Sequence, residues 1–163
     1  MMRPRTIAIG LGTASVLLLL GAIGFQYLDR LPPCELCLWQ RWPHVAAAAV
    51  GLGGPILIRF RLVERGAIWG IAALAAMLVA ISGGLGVYHA GIEWHWWPGP
   101  QSCTGSAFQY AGGHLDLNTP VVMCDRAAWR LFGLSLAGYN AVISLALAAA
   151  ATLMLLFPGR KDA

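Results

Sequence analysis

Cysteines stand at positions 34, 37, 103 and 124. The first two form a C-x-x-C pair, Cys34-Glu-Leu-Cys37. So short a loop constrains the unfolded chain little, which makes it a poor structural staple. Its natural use is redox chemistry, because one partner can reach both sulfurs. The setting favours a reactive thiolate. Pro32 and Pro33 suit a helix start, so Cys34 to Trp42 reads as a short helical turn beginning at the prolines. A thiolate there is stabilised by the unpaired amides and the helix dipole. Cys37 and Arg41 lie four apart and share a face of that turn. A guanidinium can stabilise a thiolate, or hydrogen-bond a carbonyl oxygen that is gaining negative charge. The competing reading is that Arg41 only snorkels toward lipid headgroups.

Cys103 and Cys124 are further apart, a spacing that suits a structural disulfide contributing roughly 3 kcal/mol in the chain-entropy model. An exposed C-x-x-C nearby changes that reading, since two disulfides can pass electrons by exchange. Four cysteines allow three pairings. Cys34 with Cys37 and Cys103 with Cys124 reads as the resting state, each pair lying within one loop. A zinc site made of four cysteines usually needs two close pairs, and here the second pair is split, so no metal is expected. His44, His89, His95 and His114 raise haem as an option, but no C-x-x-C-H attachment motif is present.

The elements that must carry these residues follow from composition. The chain has 163 residues, 58% hydrophobic and 11% charged. A soluble domain carries about 25% charged residues, and disorder needs low hydrophobicity, so a single membrane domain spanning 1–163 is expected. Four runs lack Asp, Glu, Lys and Arg: Thr6–Leu28, Trp42–Ile58, Gly66–Ile92 and Leu131–Gly159. Each is long enough for a spanning helix, and in lipid such segments must be helical or closed barrels. The expected fold is an all-α four-helix transmembrane bundle, with spans about 7–27, 43–59, 67–89 and 132–157. The first run exceeds a signal-peptide core and no A-x-A site follows it, so it reads as a span.

Arg3, Arg5, Arg59, Arg61, Arg65, Arg160 and Lys161 fall on one side of such a bundle, and Arg30, Arg41, Arg126 and Arg130 on the other. The richer side, with both termini, should be cytoplasmic. The net charge of +4 is then a topology signal. It is not a nucleic-acid footprint, since no basic stripe runs along a face. All four cysteines fall in the two external loops, about 28–42 and 90–131, on a side where disulfides persist. That placement argues against passing reducing power to a cytoplasmic thiol protein. Trp94, Trp96, Trp97 and Trp129 cluster near span ends, where most tryptophans are interface anchors.

The chain resembles the disulfide-bond formation protein B (DsbB) family of bacterial inner membranes. The resemblance rests on Pro33-Cys-Glu-Leu-Cys-Leu-Trp-Gln-Arg41, Trp97-Pro-Gly-Pro-Gln-Ser-Cys103, Cys124-Asp-Arg-Ala-Ala-Trp129 and Gly133-Leu-Ser-Leu-Ala-Gly-Tyr-Asn140. With the four spans it covers essentially the whole chain. It implies a quinone-linked dithiol oxidase that reoxidises a periplasmic DsbA-type partner and hands the electrons to ubiquinone or menaquinone. Carried over by position, Cys103 takes the partner's attack and Cys124 exchanges with Cys34. Cys37 then faces the quinone as a thiolate, and Arg41 steadies the quinone and the charge developing on it. His89 lies roughly where the family carries a histidine near the quinone. His114 has no counterpart. A DsbA-type partner sits at about −120 mV, which a thiol couple cannot drain and a lipid-soluble quinone can. The rival expectation is a non-catalytic four-helix membrane protein with structural loop disulfides.

Overall fold

The interior of this protein is built from its smallest residues. In the computed structural model, which describes residues 4–104 and 122–157, the main core consists of Ala8, Ala47, Ala72, Ala75, Ala76, Ala148 and Ala151, with Ile7, Leu11 and Val79 between them. The large apolar side chains point outward: Leu17 is 63% exposed and Leu153 56%. That is the reverse of a soluble core. It is stable where the surroundings are themselves apolar, because small residues let helices pack closely while lipid covers the rest.

Four helices carry this pattern: α1 (Pro4–Tyr27), α2 (Glu35–Arg59), α3 (Ile68–Glu93) and α4 (Leu136–Leu156). The segments carrying α1, α3 and α4 are long and apolar enough to cross a membrane. In α2 the polar first turns, with Glu35, Gln40, Arg41 and His44, lower the hydropathy. The fold is the expected helical membrane bundle. A one-turn 3-10 helix, Arg65–Ala67, leads from the Arg59–Arg65 turn into α3.

Some boundaries differ from expectation. The short turn at Cys34 and the second span form one continuous helix, with Pro43 and Pro55 inside it. A proline inside a helix removes a backbone donor and disturbs the carbonyls of the preceding turn. Here the Ser82 hydroxyl of α3 donates to the Gln40 carbonyl at 2.9 Å, the kind of neighbour that makes such prolines tolerable in a bundle. Pro32 and Pro33 precede the helix instead of opening it, and Cys34 is its N-cap. Helix α3 runs on to Glu93. Helix α4 starts at Leu136 instead of about 132, because a two-stranded hairpin intervenes. Its strands, β1 (Arg130–Leu131) and β2 (Leu134–Ser135), are joined by Phe132 and Gly133, both at positive φ (49° and 82°), as a tight primed turn requires. Ser135 then caps α4, its Oγ accepting from the Gly138 amide at 3.1 Å.

Helix α3 packs extensively on both α2 and α4, and α2 packs on α1. The α1–α2 crossing is very close: a Cβ on Gly51 would lie 2.9 Å from the Gly12 nitrogen and almost on the Ala8 carbonyl. Helices α1 and α4 barely meet, and the gap between them at the cysteine end is the cavity described next.

Candidate active site

The four cysteines converge. Cys34, Cys103 and Cys124 are buried together with Leu36 and Ile92, and Cys37, Trp97 and Val122 pack against them. Cys103 and Cys124 are joined in a disulfide, one of the expected pairs. The Cys124 amide also donates to the Cys103 carbonyl at 2.7 Å. Cys34 and Cys37 are free thiols with their sulfurs 2.6 Å apart, so closing a disulfide of about 2.05 Å needs almost no backbone movement. The Cys34 sulfur, a His89 ring nitrogen and the Cys124 sulfur all lie within 4.8 Å of one another. Sequence alone does not show that the two loops bring these sulfurs together.

Local structure separates the two thiols. As N-cap, Cys34 accepts the Cys37 amide on its Sγ at 3.2 Å. The hydrogen bond between the two sulfurs favours a proton on Cys34 and a negative charge on Cys37. It therefore raises the Cys34 pKa, and burial raises it further. The same hydrogen bond lowers the Cys37 pKa. Burial works against that shift, while the positive charge of Arg41 supports it. Of the two, Cys37 is therefore the thiol whose anion is more favoured.

Cys37 and Arg41 line a cavity of about 360 Å³ between α1, α2 and α4. Its walls are apolar, with Leu18, Phe25, Leu31 and Ile143 among them. Arg41 is held in place: one guanidinium nitrogen donates to Gln26 Oε1 at 2.7 Å and another to the Ala22 carbonyl at 3.4 Å. A guanidinium has five N–H donors, so others remain for a ligand. Trp129, expected as an interface anchor, is part of the cavity wall, with its ring 5.1 Å from Phe25 and 6.1 Å from Tyr139. Trp94, Trp96 and Trp97 form a separate aromatic group on the other side of the cysteines.

His89 lies off this cavity. Its Nε2 is 3.6 Å from the Cys34 sulfur and 3.7 Å from Glu93 Oε1, and its Nδ1 is 2.8 Å from Gln40 Nε2. The histidine at the cavity wall is His44. It bonds Ser15 Oγ through Nδ1 and Asn140 Oδ1 through Nε2, leaving no ring nitrogen for a haem iron. The cysteines and His89 meet the spacing of a metal site, yet Cys124 is already bonded to Cys103 and offers no thiolate. His114 lies outside the described residues. Gln26, Gln40 and Asn140 were not singled out as site residues, because a lone amide carries no spacing signal until neighbouring helices place it, and His44 and Trp129 were weighed only for haem and as an interface anchor.

The apolar cavity fits a flat, lipid-soluble ring bearing two carbonyl oxygens: it supplies an aromatic and aliphatic wall, a cation with spare donors, and an adjacent thiol.

A family model described as disulfide bond formation protein DsbB matches residues 4–154. A protein of Shewanella loihica (strain ATCC BAA-1088 / PV-4), disulfide bond formation protein B, is 27% identical over 145 residues, covering 79% of this chain and 80% of that protein. No solved structure is significantly similar.

Proposed function

This chain belongs to the DsbB family of disulfide bond formation proteins, and from that premise we propose that it is a protein-dithiol:quinone oxidoreductase that reoxidises a DsbA-like thiol oxidase. The observation that carries the reading is the position of Cys34. Its sulfur lies within 4.8 Å of Cys124 and 2.6 Å from Cys37, and Cys37 lines the apolar cavity.

The steps follow from thiol–disulfide exchange. The partner's thiolate attacks Cys103; a mixed disulfide forms, the Cys103–Cys124 bond breaks, and Cys124 leaves as a thiolate. Cys124 attacks Cys34 of an oxidised Cys34–Cys37 pair; the Cys34–Cys124 bond forms and Cys37 leaves as the thiolate its surroundings favour. The partner's second thiolate resolves the mixed disulfide and releases Cys103, which attacks Cys124 and frees Cys34. The partner departs oxidised, and Cys34 and Cys37 hold the electron pair. Cys103 is only 4% exposed, so the partner's attack requires local opening around it. A quinone, ubiquinone or menaquinone, supplies the acceptor for two electrons and two protons. Arg41, Cys37, Phe25 and Trp129 would hold it. Arg41 keeps a positive charge at that wall, and Leu18, Leu31 and Ile143 exclude water.

The proposed setting is a bacterial inner membrane, with both termini cytoplasmic and the cysteine loops periplasmic. Arg59, Arg61 and Arg65 at the opposite end of the bundle support that orientation, as does chemistry that needs an oxidising compartment.

The test uses the purified protein in detergent with a reduced DsbA-like partner and a short-chain ubiquinone or menaquinone analogue, following quinone absorbance. Partner-dependent loss of the signal is expected. If neither analogue is consumed while the partner also stays reduced, the loop disulfides are structural and the alternative of a non-catalytic membrane protein stands.

A further inference from the structure

A chain of buried polar side chains crosses the bundle beneath the dithiol, and its hydrogen bonds admit one consistent assignment. Gln40 Nε2 is 3.2 Å from the Leu36 carbonyl, which only accepts, so that atom is nitrogen. Asn140 Nδ2 is 3.1 Å from the Ser82 carbonyl, so that atom is nitrogen too. With both amides pinned by backbone carbonyls, Asn140 donates to Gln40 Oε1 at 2.8 Å, and Gln40 donates its second N–H to His89 Nδ1 at 2.8 Å. At the far end, Asn140 Oδ1 accepts from His44 Nε2 at 2.9 Å and from the Ser144 hydroxyl at 2.9 Å.

His89 Nδ1 is therefore an acceptor, and the single proton of the neutral ring must sit on Nε2. Nε2 faces the Cys34 sulfur at 3.6 Å, with Glu93 Oε1 at 3.7 Å and the Cys124 carbonyl as neighbouring acceptors. We infer that Gln40 and Asn140 are positioning residues that hold His89 in the Nε2–H tautomer, so that His89 donates a hydrogen bond to the Cys34 sulfur each time Cys34 leaves a disulfide as a thiolate. An amide does not readily carry a proton along such a chain, so its effect is orientation, as partners of a histidine commonly fix its tautomer. Gln40 and Asn140 also form part of the cavity wall, which places this network between the cavity and Cys34. The role given to His89 rests on the dithiol-oxidase reading; the tautomer assignment does not.

The experiment uses full-length protein in detergent, free of quinone and partner, with 15N-labelled histidine. Long-range proton–nitrogen correlation is expected to show His89 as Nε2–H, identified by its loss in His89→Gln. Asn140→Asp puts an acceptor where the Nδ2 donor stood. A hydrogen bond to the charged carboxylate outweighs the neutral one to the Leu36 carbonyl, so Gln40 should give up that carbonyl, turn its nitrogen toward Asp and its oxygen toward His89, and move the ring proton to Nδ1. Gln40→Leu removes the donor and should leave a mixture. A wild-type Nδ1–H ring, or an unchanged tautomer in Asn140→Asp, overturns the inference; a merely structural amide would not move the tautomer.

The second readout is the pH profile of Cys34 alkylation in a Cys37→Ser background. His89 and Glu93 from α3 and Cys124 face this thiol, Arg41 stands one turn beyond Cys37, and the Cys103–Cys124 disulfide stays closed. Asn140→Asp is expected to raise the midpoint by about one unit beyond the shift that the same added charge gives in a His89→Gln background, slowing alkylation about tenfold below it. The shift should persist when Glu93→Gln removes the neighbouring carboxylate. An unchanged profile together with an inverted tautomer shows that His89 does not serve Cys34. Failure here leaves quinone reduction by the wild type untouched, and failure of that turnover leaves the tautomer untouched.

Discussion

The sulfurs of Cys34 and Cys124 lie within 4.8 Å of each other, although one caps helix α2 and the other precedes the hairpin that leads into α4. Exchange between the two disulfides needs this proximity. In a Cys37→Ser, Cys103→Ser double variant the two remaining thiols should join on mild oxidation. Mass spectrometry of a non-reduced digest should find the Cys34–Cys124 cross-link. Two alkylated cysteines instead would mean that the loops do not exchange.

Cys37 is the thiol that lines the cavity. Cys37→Ser should drop partner-dependent quinone reduction to background while leaving the protein inserted and its Cys103–Cys124 disulfide intact. Residual turnover above background would move the reducing thiolate elsewhere.

Arg41 is anchored by Gln26 and Ala22 and faces the cavity. A hydrogen bond to a charged group contributes about 1.5–3 kcal/mol. Arg41→Ala should therefore weaken quinone use roughly 10- to 100-fold, mainly in KM, while mixed-disulfide formation at Cys103 continues. Equal loss of both activities would make Arg41 structural.

The Cys37 pKa lies below its ordinary value, held there by the Cys34 thiol and by Arg41 and opposed by burial. Its thiolate is therefore retained as pH falls, below the point where an ordinary thiol protonates. Alkylation of Cys37 in reduced protein should stay fast to a lower pH than for a model thiol, and Arg41→Ala should move its midpoint upward. Rates that track the model thiol in both proteins would refute the shift.

Close packing of α1 on α2 predicts a stability effect far from the chemistry. Gly51→Ala places a methyl almost on the Ala8 carbonyl. Overpacking of this kind costs about 1–3 kcal/mol, so thermal unfolding in detergent should shift down. Gly53 has nothing within 4 Å of its Cβ position, so Gly53→Ala should unfold at or above the parent temperature.

Residue order and type determined much of this protein. The charge-free runs announce helices that bury alanine and present leucine to lipid, because hydropathy over a span does not depend on the neighbours. The C-x-x-C pair and the helical offset from Cys37 to Arg41 are local too, and both residues meet at one wall. Longer-range relations were decided by tertiary structure. The second span reads as starting at about 43, yet α2 runs unbroken from Glu35 through Pro43, with Ser82 of another helix donating to the Gln40 carbonyl. Trp129 reads as an anchor, yet the hairpin turns it into the cavity wall. His89 reads as a residue near the quinone, and the tertiary structure sets it against Cys34 and Gln40. Spacing along one helix records which residues share a face. It cannot record which face of another helix comes to meet it, and the gathering of the four cysteines, the cavity and the amide network all depend on that meeting.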